Sequence, residues 1–153
     1  MKVLILSLET WKDGTNGGNV LSNIFSNTGM EFAQIYCSPG NPENSLCTRY
    51  YQITDSMVIR SFVKHKTVGR GFIVGTNTVK VYKGKVEQPN KKVYSFFKSH
   101  RWGIFLAAKN IAWNLSNWKH SGLKDFILNF APDIIFAPCY GDVFMQKLTR
   151  YVA

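Results

Sequence analysis

A strand, a glycine-bearing turn and a helix follow one another in the first 25 residues, and that order limits the fold more than any other feature. The apolar run Val3-Leu4-Ile5-Leu6 leads through Ser7 and Leu8 to Gly14-Thr15-Asn16-Gly17-Gly18, and helical spacing begins at Asn19. A strand that enters a helix through glycine presents backbone N–H groups at a helix N-terminus, where phosphate and other anions bind. The turn has neither the G-x-G-x-x-G spacing of dinucleotide sites nor the Lys-Ser/Thr of a P-loop. Asn16, Gly17 and Gly18 are the residues to test for phosphate contact. The competing reading is that Asn16-Gly17 only makes the tight turn this connection needs.

The remaining pattern repeats the theme. Val20, Leu21, Ile24, Phe25 and Thr28 share a helical face that Gly29 ends, and Phe32 to Cys37 reads as a second strand. Ser38-Pro39-Gly40-Asn41-Pro42 is a loop. Arg49 to Thr54 reads as a third strand, and Asp55 is placed to cap a helix bearing Val58, Ile59, Phe62 and Val63. Phe72-Ile73-Val74 and Val79 to Tyr82 could pair as a hairpin or form an irregular insert. An aromatic helix is expected from about Tyr94 to Trp113, and a second from Ser121 with Leu123, Phe126, Ile127 and Phe130 inward. Asp133 to Pro138 reads as an all-apolar central parallel strand. A final helix from Asp142 should bury Val143, Phe144, Leu148, Tyr151 and Val152.

Strands alternating with helices imply an α/β fold, a mostly parallel sheet between helical layers. Right-handed crossovers then put the Gly14–Gly18 turn, the Ser38–Pro42 loop and the Pro138–Gly141 loop on one edge. At 153 residues the chain is expected to be a single Rossmann-like domain, residues 1–153. No stretch reaches the ~18 apolar residues of a spanning helix. Cys37, Cys47 and Cys139 show no metal or disulfide spacing and read as reduced thiols of a cytoplasmic protein, and His65, His100 and His120 complete no metal set.

The net charge of +10 is concentrated. Residues 60–101 hold eleven Lys or Arg against Glu87 alone, so this stretch accounts for a net +10, while 1–59 and 102–153 carry −2 and +2. A basic insert at about 66–92 within a nearly neutral domain is the consequence. Lys91, Lys92, Lys98 and Arg101, beside Tyr94, Phe96 and Phe97, form a membrane or anion patch of the kind that lies on anionic lipid. The bland alternative is a solvated loop. No nucleic-acid recognition signature is present, so nucleic acid is not among the expected partners. Trp102, Phe105, Trp113 and Trp118 suit a core face better than a sugar- or lipid-binding one.

The opening strand, Gly17-Gly18 at a helix head, the basic aromatic segment, and Phe126-Ile127-Leu128-Asn129-Phe130-Ala131-Pro132-Asp133-Ile134-Ile135-Phe136 together resemble the N-terminal half of a family 4 glycosyltransferase of the GT-B fold. The resemblance implies the acceptor-side domain of a retaining enzyme that moves sugar from a nucleotide-sugar donor to a glycan or lipid-linked acceptor, in polysaccharide or cell-envelope biosynthesis. It places Asn16, Gly17 and Gly18 near the donor diphosphate. Tyr140 and Asp142, in the loop after the last strand, are candidates for contact with an acceptor hydroxyl, and Asp142 is equally suited to be only a helix cap. The donor is a substrate, and neither a cofactor nor a metal is implied. The absent partner would be a C-terminal donor-binding domain, because the chain stops at Tyr151-Val152-Ala153 inside a helical pattern. A partial domain, inactive alone, is therefore expected. No catalytic residue is transferred, since none of the three histidines falls where the family places one. A cytoplasmic location, possible at the inner membrane face, follows from the same resemblance. The alternatives are a small flavodoxin-like domain for a nucleotide or phosphorylated metabolite, and a non-catalytic basic membrane-binding module.

Overall fold

The computed structural model describes residues 1–64, 67–75 and 103–153. Strand β1 (Lys2–Ser7) is flanked by β2 (Glu31–Tyr36) on one side and β5 (Ile134–Phe136) on the other, both parallel to it. Beyond β2 come β3 (Cys47–Gln52), also parallel, and β4 (Arg70–Ile73), antiparallel to β3. The five-stranded order is β4-β3-β2-β1-β5. The helices are α1 (Asn16–Phe25), α2 (Asp55–Lys64), α3 (Gly103–Leu115), α4 (Ser121–Phe130) and α5 (Val143–Val152). The result is a Rossmann-like α/β sheet, as the alternation of elements required.

Side-chain alternation along β1 and β2 divides the core. Leu4, Leu6, Ala33 and Ile35 face a layer that buries Val58, Trp113, Leu123, Phe130, Phe144 and Leu148 from the other four helices. Val3, Ile5, Phe32 and Tyr36 face α1, which contributes Leu21 and Phe25. Trp11 fills the remaining space on that face, with ring centroids 5.8 Å from Phe32 and 6.3 Å from Phe25. Trp113 stacks on Phe144 at 4.3 Å, and both it and Trp118 are buried, so these two belong to the core.

Several local expectations need correction. Thr54, not Asp55, caps α2: its hydroxyl accepts from the Met57 amide at 3.2 Å. Asp55 instead accepts from Trp113 Nε1 at 2.7 Å and pairs with Lys109 at 3.2 Å, which fastens α2 to α3. The inner face of α5 uses Met145 rather than Val143, because the helix enters one position later and leaves Val143 exposed. On α1 and α2 the apolar stripe is wider than the sheet can cover, and Val20, Ile24, Ile59 and Phe62 remain exposed. Among the described strands β5 borders only β1, so it is not central, and Ile134 is exposed.

Part of the basic stretch is structural, since Arg70 to Ile73 completes the sheet as β4. The second hairpin arm at 79–82, the helical residues expected at 94–102, and Lys91, Lys92, Lys98 and Arg101 lie outside the described residues. Among the described residues no helix is long and apolar enough to cross a membrane.

Candidate functional site

Chain direction locates the site. From β1 the chain crosses over one face through α1 to β2, whereas β5 on the other side is reached through helices on the opposite face. The loops leaving β1 and β5 therefore diverge, and a crevice opens between them at the carboxyl end of the sheet. A cleft of about 280 Å³ occupies this point, with Glu9, Thr10, Gly17, Gly18, Pro138 and Tyr140 in its wall. Loop Ser38–Pro42 joins the same edge through Ser38, whose hydroxyl accepts from the Thr10 amide at 3.1 Å. The three loops expected on one edge are thus together.

The β1–α1 loop is braced from beneath. Gln34, fully buried on β2, accepts the Trp11 amide at 3.1 Å and donates to Ser7 Oγ at 2.7 Å and to the Glu9 carbonyl at 3.1 Å. Trp11 Nε1 donates to Ser22 Oγ at 2.8 Å, and the Ser22 hydroxyl in turn donates a hydrogen bond to Asp13 Oδ1. Lys12 pairs with Glu43 at 2.7 Å, tying the loop to the β2–β3 connection.

The two glycines of the turn have different reasons to be glycine. A Cβ on Gly18 would lie 1.9 Å from the Lys12 carbonyl oxygen, so the residue is fixed by close backbone packing. Its amide is also taken, donating to the Thr15 hydroxyl at 3.2 Å in an N-cap. A Cβ on Gly17 would meet nothing nearer than Glu9 Oε2 at 3.8 Å. The first-turn amides of α1 left over by the cap are therefore those of Asn16 and Gly17. Asn16 is exposed and lies outside the cleft wall.

The cleft already holds a negative charge. Glu9 brings its carboxylate to the head of α1, where the helix dipole favours it. A phosphate entering at Gly17 would meet that charge. The other polar groups are neutral. Burial raises the Tyr140 phenol above its ordinary range, which keeps its proton available for donation. The Thr10 hydroxyl is buried and makes no hydrogen bond of ordinary length; its polar neighbour is the Tyr36 phenol, which donates to the Gly40 carbonyl at 3.0 Å and keeps its oxygen as an acceptor for Thr10. The Ser7 hydroxyl is committed to the Glu9 carbonyl at 2.6 Å. Asp142 stands at the head of α5 without capping it through its side chain and does not line the cleft.

Of the residues singled out from sequence, Gly17, Gly18 and Tyr140 come together, while Asn16 and Asp142 flank them. Glu9 and Thr10 were missed. Their position directly after β1, at the edge where such sheets bind ligands, was the available signal. Among the described residues no group of His, Cys, Asp and Glu is arranged to hold a metal ion. No protein-family model, curated protein or solved structure matches the chain.

Proposed function

We propose that the chain is the acceptor-side domain of a retaining GT-B glycosyltransferase of family 4, and that the cleft between β1 and β5 receives a sugar hydroxyl of a glycan or lipid-linked acceptor. The observation that carries this reading is the polar pair in the cleft: a carboxylate at Glu9 and a protonated phenol at Tyr140. Carboxylates accept strongly from hydroxyl groups, and a phenol donates to them. A polyhydroxylated ligand satisfies both groups. The amides of Asn16 and Gly17 remain for the donor diphosphate, which would be held mainly by a second domain. Glu9 disfavours phosphate bound to this domain alone, so isolated residues 1–153 should neither transfer sugar nor hold a nucleotide tightly.

Ligand-observed NMR with a panel of alkyl glycosides tests the assignment. Binding is expected, weakened about tenfold by Glu9→Gln through loss of charge-assisted hydrogen bonds and less by Tyr140→Phe. Tight, saturable binding of a nucleotide with no response to glycosides would replace this reading with a stand-alone nucleotide-binding domain.

A further inference from the structure

A second cavity, about 470 Å³ in volume, lies between the end of α3, the α3–α4 loop and the second half of α5. It shares no lining residue with the cleft at the sheet edge. Its wall carries Lys119, Lys147 and Arg150 together with Asn114, Trp118 and Tyr151. Three cations therefore meet in one hollow, and among the described residues no carboxylate lines it. The ion pairs found among the described residues, Lys12–Glu43, Arg49–Glu31 and Lys109–Asp55, involve none of the three.

The floor is rigid. Trp118 is buried, donates through Nε1 to the Trp113 carbonyl at 3.0 Å, and meets Tyr151 edge-on at 5.4 Å. Lys119 Nζ stands over both rings, 5.1 Å from the Trp118 centroid and 5.6 Å from that of Tyr151. Lys147, Arg150 and Tyr151 fall on one face of α5 at the i, i+3 and i+4 positions. The Lys147 ammonium donates to Asn114 Oδ1, which leaves the Asn114 amide nitrogen free to donate elsewhere.

The C-terminal dipole of α5 explains why a cation is tolerated at Arg150. It does not explain three like charges lining one concavity, an arrangement whose mutual repulsion an anion would relieve. Low-dielectric walls focus the field of such a cluster inward. The donors are those that recognise a phosphoryl oxygen: a guanidinium fork, two ammonium groups and a side-chain amide. The volume falls in the range of about 300–1,000 Å³ usual for small-molecule sites. Because the charges line a hollow, they suit a discrete phosphate group better than a flat bilayer. We propose that this cavity is a ligand site for the phosphate group of a small phosphorylated molecule, independent of the function assigned to the sheet-edge cleft.

The test is an amide-resolved NMR titration of the whole chain with inorganic phosphate and with pyrophosphate at constant ionic strength. Saturable shifts are expected at residues 118–120 and 147–151, with pyrophosphate the tighter of the two. The double variant Lys147→Gln/Arg150→Gln should weaken binding at least about tenfold, and Lys119→Gln alone by a smaller factor. Lys124→Gln, an exposed cation on α4, should change nothing. An unperturbed amide spectrum elsewhere confirms that each variant is folded. Should the double variant misfold, the exposed Arg150→Gln alone carries the test. Non-saturating shifts spread over all basic residues, or unchanged binding by the variants, would overturn the proposal. So would sedimentation with phosphatidylglycerol vesicles but not phosphatidylcholine vesicles in a protein whose cavity amides ignore both phosphates.

Discussion

Replacing Gly18 by alanine should damage the domain although alanine is the better helix former. The new methyl carbon would sit 1.9 Å from the Lys12 carbonyl oxygen, 2.5 Å from its carbon and 2.7 Å from the Lys12 nitrogen. All three are backbone atoms, so no side chain can swing away. Restoring a contact of roughly 3 Å requires the loop to move by about 1 Å. That loop is held by Gln34, by the Lys12–Glu43 pair and by the Thr15 cap on the same Lys12 carbonyl. Overpacking of this kind costs about 1–3 kcal/mol and occasionally more, against a helix-propensity gain of about 1 kcal/mol. A backbone clash this close belongs at or above the top of that range, giving a net loss of about 2–3 kcal/mol. For a domain of this length that lowers the melting temperature by about 5–10 °C. Gly17→Ala is the internal control, because its methyl meets only an ordinary van der Waals contact, 3.8 Å from Glu9 Oε2, and should stabilise by up to about 1 kcal/mol. Thermal unfolding followed by tryptophan fluorescence, with Trp11 in the loop as reporter, compares the two. Equal melting temperatures for the two variants would refute the packing argument.

Two further outcomes can be checked on the isolated protein. His120 caps α4 by accepting the Gly122 amide at Nδ1 (3.0 Å), and its Nε2 bonds the Val68 carbonyl at 2.8 Å and the Tyr51 hydroxyl at 3.1 Å. His120→Ala should cost about 2 kcal/mol in urea unfolding, and His120→Asn, which keeps a cap, about half of that. Burial raises the phenols of Tyr36, Tyr50 and Tyr51 above the ordinary value of 10.0. The unfolded chain ionises first, so stability is full below about pH 10 and falls above it, by up to about 1.4 kcal/mol per pH unit for each phenol. Absorbance at alkaline pH should show these groups titrating only as the protein unfolds; their free titration in the folded state would contradict the burial.

Much of the sheet was legible because β1 is apolar on both faces and β2 nearly so, a pattern typical of strands covered on both sides. The Gly-rich turn was equally legible, but its meaning was not. Sequence could not tell that Gly18 answers to the Lys12 backbone while Gly17 faces the cleft, because the distinction rests on how the loop folds back. Glu9 and Thr10 look like ordinary loop residues until Gln34 holds the Glu9 carbonyl and Ser38 the Thr10 amide. The spacing puts the apolar residues of α1 on one face but does not fix their burial: one helix covers only part of a sheet face, so Val20 and Ile24 stay outside. The antiparallel entry of β4 was hidden because a four-residue strand with Arg70 and Gly71 has no periodicity to display.

The buried amide of Gln34 has a kinetic meaning. By bonding Ser7, Glu9 and Trp11 it locks the lip of the cleft as soon as β2 lies beside β1. A ligand arriving there finds its walls standing and forfeits little conformational entropy on docking. Association should then run at the pace of diffusional encounter, with discrimination among ligands expressed in how fast each one leaves.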